Sequence, residues 1–349
     1  MTMVVMTILG ARPQFIKAAP VIRALAGRGV HRLVHTGQHY DPNLSEKFFA
    51  ELDLPTPDVN LGVGSIEPLS QLAAMLSGLD RVLADYRPDV AIVYGDTRST
   101  LAGALAASVR GIPVAHIEAG LRSGDRQMPE EINRLITDAI SSYLFCPTRT
   151  AMDNLARENR AEESHWVGDV MLDQLLWSTS SCKVERLDQW KVKPKEYVIA
   201  TIHRAGNTAE RKVLADLVAG LSRCNKPVLL SLHPRTNLAL ERFQINTEAI
   251  RLIHPVGYSD MLSLVRNAYK VATDSGGLQK EAYLLGTPCV TLRDKTEWLE
   301  TVDAGFNQLV GHDPEAIADA LNSAAPDVTP QPVFGDGHAA EKIVAILLR

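Results

Sequence analysis

The sequence lacks the features that mark several protein classes. Its four cysteines, Cys146, Cys182, Cys224 and Cys289, form no CxxC pair and have no neighbouring histidine cluster, so neither a metal site nor a disulfide framework is expected. Unpaired thiols are typical of a reducing compartment. No apolar run approaches the roughly 20 residues that a membrane-spanning helix needs, and the first ten residues contain no basic secretory segment. The sequence therefore predicts a cytoplasmic protein without membrane contact.

An excess of positive charge is also missing. Lys and Arg number 36 against 41 Asp and Glu, for a formal net charge of -5. Nucleic-acid binding needs a basic face, and none stands out here. The glycine pattern GxGxxG is absent as well, so a dinucleotide cofactor of the Rossmann type is not expected. We expect no added cofactor.

The length and the hydrophobic pattern indicate two α/β domains. The 349 residues exceed what one hydrophobic core usually serves, so two domains with a cleft between them are expected. Apolar strand-like runs alternate with helical segments through both halves, as in parallel sheets. Periodicity weakens and Lys, Pro and Ser accumulate at 178–195, which we interpret as a linker. The predicted domains are 1–178 and 190–330.

The stretch HIEAGLRSGDRQMPEEINR, at 116–134, crowds acidic and basic residues directly behind an apolar strand. Glu118 stands at the end of that strand, and Asp96 follows the preceding strand in the same way. Open α/β sheets bind ligands at the carboxyl ends of their strands, so both carboxylates are expected at one site. The alternatives are a helix N-cap for Asp96 and a solvated, charge-paired loop for Glu130 and Glu131.

Other residues suit a nucleoside diphosphate because they lie at helix starts, where phosphate oxygens are favoured. A tight left-handed turn is the alternative role for the glycines among them, and two solvent-exposed charges are the alternative for the cations of the first half. One member lies further along its helix and could bind ribose hydroxyls. The candidates are Arg12 and Lys17 in the first half, and Ser275, Gly276, Gly277 and the ribose candidate Glu281 in the second half.

The remaining candidates suit proton transfer. Asp96, Glu118, Glu130 and His203 carry the carboxylate and imidazole groups that act as general acids and bases. A carbon with no adjacent carbonyl gives up its proton reluctantly, and elimination of a good leaving group such as UDP lowers that barrier. One carboxylate could then take the proton on one face and another return it on the other. A glycosyltransferase that uses a UDP-sugar donor and a non-catalytic nucleotide-sugar sensor are the competing interpretations.

Ordered motifs along the whole chain resemble the non-hydrolysing UDP-N-acetylglucosamine 2-epimerase family. They are GARPQFIKAAP, TGQHYD, VYGDTRSTLAG, HIEAGLRSGDRQMPEEINR, FCPT, HRAGN, HPRT, DSGGLQKEA and FGDGHAAEKI. The resemblance implies an α/β fold with two Rossmann-like domains facing a central cleft, glycosyltransferase-B-like. The last helix, 337–349, would cross back to the first domain. The implied activity of the homodimer is interconversion of UDP-N-acetylglucosamine and UDP-N-acetylmannosamine by elimination and readdition of UDP.

The resemblance also implies a role for each candidate residue. Asp96, Glu118, Glu130 and His203 match the family's catalytic residues. Its UDP contacts match Arg12, Lys17, Ser275, Gly276, Gly277 and Glu281. Some bacterial members have an activating second site, for which Gln38 and His233 would be suitable.

Three positions depart from the family pattern. Gln14 replaces a Glu, Trp298 replaces an Arg, and Gly206 replaces another Glu. The variants at Gln14 and Trp298 are similar to the subfamily that epimerises UDP-2,3-diacetamido-2,3-dideoxyglucuronic acid, an O-antigen precursor. The identity of the sugar is therefore open between these two nucleotide sugars.

Overall fold

The structure, a computed structural model, describes residues 2–38, 49–179 and 184–349, with the backbone alone at 184–186. The chain divides into two compact units, Met1–Trp177 with Pro332–Arg349, and Ser178–Gln331. Each unit is built on its own parallel sheet. Within the described ranges, none of the helices has both the length and the apolar character that crossing a bilayer requires.

The first unit contains a seven-stranded sheet with the order β3-β2-β1-β4-β5-β6-β7, and its neighbouring strands pair in parallel. The strands are β1 (Val4–Leu9), β2 (Val30–His35), β3 (Val59–Asn60), β4 (Val90–Tyr94), β5 (Val114–Ile117), β6 (Tyr143–Cys146) and β7 (Ser164–Trp166). The helices are α1 (Arg12–Leu25), α2 (Pro68–Tyr86), α3 (Arg98–Val109), α4 (Pro129–Ile140), α5 (Arg149–Arg157) and α6 (Val170–Ser178).

The second unit contains a six-stranded parallel sheet with the order β10-β9-β8-β11-β12-β13. The strands are β8 (Val198–Ile202), β9 (Val228–Leu232), β10 (Arg251–Ile253), β11 (Lys270–Thr273), β12 (Cys289–Thr291) and β13 (Asn307–Leu309). The helices are α7 (Ala205–Thr208), α8 (Arg211–Ser222), α9 (Pro234–Phe243), α10 (Tyr258–Asn267), α11 (Gly276–Leu284), α12 (Leu299–Asp303) and α13 (Pro314–Asn322).

The last helix, α14 (Ala339–Leu347), belongs to the first unit. It buries an apolar stripe that includes Ile343 and Val344. Its first turn is anchored by the Asp173 carboxylate, which accepts hydrogen bonds from the backbone N–H groups of Ala339 and Ala340 at 3.2 and 2.7 Å. The predicted α/β class with two Rossmann-like domains is confirmed, and so is the return of the last helix to the first domain.

The strand order places a ligand-binding edge in each unit. In the first sheet, β2 and β3 follow on one side of β1, whereas β4 and the later strands follow on its other side. In the second sheet, β9 and β10 follow on one side of β8, and β11 and the later strands follow on the other. In open α/β sheets, ligands bind beyond the carboxyl ends of the strands at such a switch point. Asp96 follows β4 in the first unit, while His203 follows β8 and Ser275 lies just beyond β11 in the second. The topology therefore places candidate residues at both switch points.

Lys270 is a buried cation that fastens β11 to the end of a helix. Its side chain is 3% exposed, and its ammonium donates to Ala320 O at 2.6 Å and to Ser323 O and Oγ at 2.9 Å. These acceptors lie at the carboxyl end of α13, where free carbonyls need donors and the helix dipole favours a cation. Burial lowers the pKa of Lys270. The three hydrogen bonds keep the buried ammonium group satisfied.

We predict that Lys270→Met lowers the free energy of unfolding by roughly 1–3 kcal/mol, because Ala320 O and Ser323 O lose their charged donor and keep only hydroxyl donors. Urea denaturation measures the change. Lys212→Met is the matched control, since the Lys212 side chain is exposed and pairs with Asp216 at the surface. The control should unfold at nearly the wild-type midpoint. Equal midpoints for both variants would contradict the role given to Lys270.

Candidate active site

Glu118 is buried beside a lysine at the end of β5. It is 6% exposed, and its carboxylate accepts a hydrogen bond from the Lys17 ammonium in a salt bridge. Gly95 has a left-handed φ of 62°, and a Cβ there would lie 2.8 Å from Lys17 Nζ and 3.0 Å from Glu118 Oε2, so glycine is favoured at this position. Glu118 itself has a left-handed φ of 71°, which is unusual for a residue with a side chain and is concentrated at functional sites.

Asp96 is the more accessible of the two strand-end carboxylates, with its side chain 27% exposed. Its Oδ2 accepts a hydrogen bond from Arg134 Nη2 at 2.5 Å, and its backbone carbonyl accepts one from Asn133 Nδ2 at 2.8 Å. Both donors lie on α4. The N-cap interpretation of Asp96 is wrong, because Thr97 caps α3 by accepting from Thr100 N. The Asp96 carboxylate thus lies beside a cation, as Glu118 does.

The two glutamates at the start of α4 differ in their surroundings. Glu131 is buried and accepts hydrogen bonds from Ser123 N, Ser123 Oγ, Gly124 N and Arg134. Burial alone would raise the pKa of Glu131, but these hydrogen bonds and the Arg134 charge bring it below its ordinary value. The solvated-loop interpretation is therefore wrong for Glu131. Glu130 is half-buried on the first turn.

Gln14 connects the β1–α1 loop to the end of β4. Its Oε1 accepts hydrogen bonds from Gly10 N and Ala11 N at 2.8 and 3.0 Å. Its Nε2 donates to Tyr94 O at 3.1 Å and to Thr100 Oγ1 at 3.0 Å. A glutamate could accept the first two hydrogen bonds, but an ionised carboxylate could not donate the others. The amide at this position therefore completes four hydrogen bonds next to Arg12, which is exposed at the start of α1.

Asp138, which the sequence pattern did not single out, joins α4 to β5 and to the loop that follows β5. This carboxylate is fully buried and lies 2.6 Å from His116 Nδ1. It also accepts hydrogen bonds from Gly120 N at 3.1 Å and Arg122 Nη1 at 2.7 Å. Burial alone would raise the pKa of Asp138, but His116 and Arg122 hold it below its ordinary value. The Arg122 guanidinium and the Gly120 N–H, which both donate to Asp138, thus favour the ionised form of this carboxyl group.

In the second unit, His203 is held by a buried carboxylate that the sequence pattern also missed. His203 Nδ1 lies 3.2 Å from Asp274 Oδ1. Asp274 is fully buried and accepts hydrogen bonds from His203 N, Arg204 N and Asn207 Nδ2 at 2.8 to 3.1 Å. Because Asp274 directly follows β11, it ties the turn after β8 to the neighbouring strand end.

The glycine-rich start of α11 has the form that a phosphate site requires. Ser275 is its N-cap and accepts a hydrogen bond from Leu278 N at 3.3 Å. Neither Gly276 nor Gly277 has a positive φ, so the left-handed-turn interpretation is wrong. A Cβ at Gly276 would lie 2.2 Å from Glu297 Oε1. The absence of a Cβ lets the Glu297 carboxylate approach this helix start closely, and helix N-termini attract anions.

Two arginines flank Glu297 at this helix start. Arg293 Nη2 lies 3.0 Å from Glu297 Oε2, and Arg204 Nη2 lies 3.6 Å from Oε1. Burial lowers the pKa of Arg293. Glu281 is buried further along α11. The surroundings of the helix start therefore combine backbone N–H groups with two guanidinium groups.

The other two departures from the family pattern differ in kind. Trp298 is 2% exposed, and the Lys280 ammonium lies 4.1 Å from its ring centroid, within cation–π range. Lys280 is itself fully buried. Gly206 is exposed with open space around its Cα, and nothing in the structure explains the glycine there.

Gln38 and His233 lie in different units. Gln38 is buried, and its Oε1 accepts hydrogen bonds from Ser99 N and Ser99 Oγ at 2.9 and 2.8 Å. His233 is the N-cap of α9, and its ring lies 5.6 Å from that of His203. Residues 39–48, which include the end of the TGQHYD motif, fall outside the described residues. In the part of the chain that is described, no group of three His, Cys, Asp or Glu side chains could hold a metal ion.

The chain matches known proteins along its whole length. The family model for UDP-N-acetylglucosamine 2-epimerase matches residues 24–348. A UDP-N-acetylglucosamine 2-epimerase homologue from Methanococcus maripaludis is 45% identical over 99% of both chains. A Pseudomonas aeruginosa UDP-2,3-diacetamido-2,3-dideoxy-D-glucuronate 2-epimerase is 42% identical, over 99% of this chain and 100% of its own.

A solved structure agrees closely with this fold. The crystal structure of the Methanocaldococcus jannaschii UDP-GlcNAc 2-epimerase in complex with UDP-GlcNAc and UDP matches with a TM-score of 0.93, at 42% identity over 99% of each chain. A family match over almost all of the sequence, together with this agreement in fold, shows that the chain belongs to the UDP-N-acetylglucosamine 2-epimerase family.

Proposed function

We propose that this protein is a nucleotide-sugar 2-epimerase that interconverts UDP-N-acetylglucosamine and UDP-N-acetylmannosamine. The observation that carries the proposal is the pair of carboxylates at the ends of β4 and β5. Asp96 lies beside Arg134, and Glu118 lies beside Lys17. Charged groups fixed in advance at a strand-end edge can move protons without reorganising solvent. The relative whose structure contains UDP-GlcNAc and UDP supports this choice of substrate.

The chemistry proceeds by elimination and readdition. One carboxylate removes the proton from C2 of the sugar while the bond between C1 and the UDP oxygen breaks, which leaves UDP and a 2-acetamidoglucal. A second acid then returns a proton to the opposite face of C2, and UDP attacks C1 again. Asp96, Glu118 and the half-buried Glu130 supply the proton-transfer groups. Atoms balance without an added cofactor.

The helix start in the second unit supports a role in holding UDP. Gly276 and Gly277 present no side chain at this helix start, where backbone N–H groups suit a pyrophosphate. His203 would act close to that nucleotide, and Glu281 would bind ribose hydroxyls. In the first unit, Arg12 and Lys17 carry charges that suit phosphate oxygens.

Two further features of the family resemblance are proposed for this chain. Gln38 and His233 are candidates for an activating second site. The protein is proposed to be a cytoplasmic homodimer.

A second substrate is favoured by one specific observation. The Pseudomonas aeruginosa relative acts on UDP-2,3-diacetamido-2,3-dideoxy-D-glucuronate, as its name states, and the resemblance to its subfamily includes Gln14 and Trp298. Neither residue is a loosely placed surface variant. Gln14 makes four hydrogen bonds, and Trp298 covers the buried Lys280. The diacetamido-uronate nucleotide is therefore the second candidate substrate.

Assaying both nucleotide sugars side by side tests the proposed function. We expect that UDP-N-acetylglucosamine is converted to a mixture with its 2-epimer, and that free N-acetylglucosamine is not released. Proton NMR of the sugar ring identifies the product. Turnover of the diacetamido-uronate nucleotide alone would support the second candidate. Failure to convert either sugar, with UDP still bound, would leave a non-catalytic sensor as the better explanation.

Neutralising the two carboxylates tests their role. Asp96→Asn and Glu118→Gln should each lower kcat by roughly 10²-fold or more if the group transfers a proton. The affinity for UDP, measured by titration calorimetry, should change little. Asp153→Asn is the control, because Asp153 is an exposed carboxylate on α5 of the same unit. Loss of UDP binding in place of turnover would show that the roles are misassigned.

Restoring the family's usual arginine tests the environment of Trp298. We expect Trp298→Arg to lower the free energy of unfolding by roughly 2–4 kcal/mol, because it replaces a cation–π contact with a second cation beside the buried Lys280. Trp298→Phe keeps an aromatic face and should cost less than half as much. Thermal unfolding followed by circular dichroism compares the two variants. An arginine variant as stable as the wild type would contradict this account of the departure.

A further inference from the structure

His116 lies between two hydrogen-bond acceptors. Its Nδ1 is 2.6 Å from Asp138 Oδ1, and its Nε2 is 2.8 Å from the backbone carbonyl oxygen of Gly95. The ring is fully buried, so water cannot take the place of either partner. A backbone carbonyl can only accept a hydrogen bond, and an ionised carboxylate can only accept as well. Both ring nitrogens must therefore donate.

The charges around Asp138 decide where the shared proton resides. A neutral ring could satisfy both contacts only if Asp138 were protonated and donated to Nδ1. The other oxygen of Asp138 already accepts hydrogen bonds from Gly120 N and Arg122 Nη1, and donors of this kind stabilise the ionised carboxylate. The proton is therefore more stable on the ring than on the carboxyl group.

We propose that His116 is a doubly protonated imidazolium that positions Asp96 and Glu118, through its hydrogen bonds to Asp138 and Gly95. The inference rests on the proposed function in one respect, since Asp96 and Glu118 are the residues proposed to transfer protons. His116 does not reach the reacting atoms. It is a positioning residue.

The hydrogen bond from His116 Nε2 reaches the turn between β4 and Asp96. Gly95 adopts a φ of 62°, and its Cα lies next to the Lys17–Glu118 pair. The carbonyl that His116 holds belongs to the peptide bond that joins Gly95 to Asp96, so the hydrogen bond fixes the direction in which Asp96 leaves the strand.

Asp138 holds the neighbouring loop in the same way. It accepts from the backbone N–H of Gly120, two residues after Glu118. A Cβ at Gly120 would lie 2.4 Å from Ala151 O, so the loop backbone packs directly against α5 and only glycine fits there. Asp138 and His116 together therefore connect α4 to the backbone beside both carboxylates.

The surrounding charges are balanced. His116 and Arg122 supply two positive charges, while Asp138 and Glu158 supply two negative ones, and Arg122 donates to Glu158 at 2.6 and 2.7 Å. Cys146 lies close enough to Asp138 and Arg122 to interact with their charges, and burial raises the pKa of its thiol. This thiol therefore adds no charge to the cluster.

NMR of ¹⁵N-labelled protein tests the protonation state without substrate. At about pH 7.5, where an exposed histidine is mostly neutral, we expect His116 to show two ring N–H correlations. His116→Gln identifies the signals by their disappearance. A single ring N–H would overturn the proposal, because it would place the shared proton on Asp138 or remove it. Since no sugar is present, this result does not depend on the proposed function.

Asp138→Asn provides a nearly isosteric second variant. The asparagine amide can donate to Nδ1 while its oxygen accepts from Gly120 and Arg122, so the fold should persist with a neutral ring. We expect the Nδ1–H correlation to vanish and the Nε2–H correlation to remain. Retention of both correlations in a folded variant would show that Asp138 does not hold the second proton, which would overturn the inference.

Kinetics of His116→Gln test the positioning role. The substitution should lower kcat by roughly 10²-fold, the cost of misplacing a reacting group by about 1 Å, while KM and the affinity for UDP change little. UDP binding and the thermal midpoint confirm that the variant is folded. A folded variant with wild-type kcat would overturn the positioning role. If the wild type converts neither sugar, the proposed function fails while the spectrum still decides the protonation state.

Discussion

The buried pair of Lys17 and Glu118 constrains much of the first unit. Removing an ammonium and a carboxylate from water is costly, and their attraction offsets that cost only when the geometry is close. The backbone at Gly95 lies close to both charged groups, because a Cβ there would be 2.8 Å from Lys17 Nζ and 3.0 Å from Glu118 Oε2. Glu118 itself adopts a left-handed backbone conformation with a φ of 71°. The pair therefore lies where a glycine ends β4 and a residue with a left-handed backbone ends β5.

Two buried carboxylates outside the proposed proton-transfer groups are also held by close partners. Asp138 and Asp274 are fully buried, and each accepts several hydrogen bonds from a strand-end turn that carries a candidate residue. A buried carboxylate with several donors is rigid, since any movement would leave a charge without partners. In each unit, a buried acidic residue thus holds the backbone next to a candidate residue by hydrogen bonds. Preorganised groups of this kind contribute most to catalysis in a site shielded from water.

Much of the fold and part of the site could be predicted from the sequence. The apolar runs of β1, β4 and β8 have no polar face, so parallel strands buried on both sides follow directly, and Asp96 and Glu118 stand out because they end such runs. The short strands β3 and β13 and the helix α12 give no usable periodicity. Asp138 and Asp274 were missed because their partners lie 22 and 71 residues away in sequence. The Asp before Ser275 in DSGG was a signal that could have indicated the second of these.

The central claim is that carboxylates at the strand ends remove and return the proton at C2. The most direct measurement is the incubation of UDP-N-acetylglucosamine with the protein in deuterated water, followed by mass spectrometry and NMR of both epimers. The account predicts one deuterium at C2 in the newly formed epimer, and its accumulation in the starting sugar as the reaction reverses. Epimerisation without deuterium at C2 would contradict the account, because the hydrogen would then never have reached an exchangeable group on the protein.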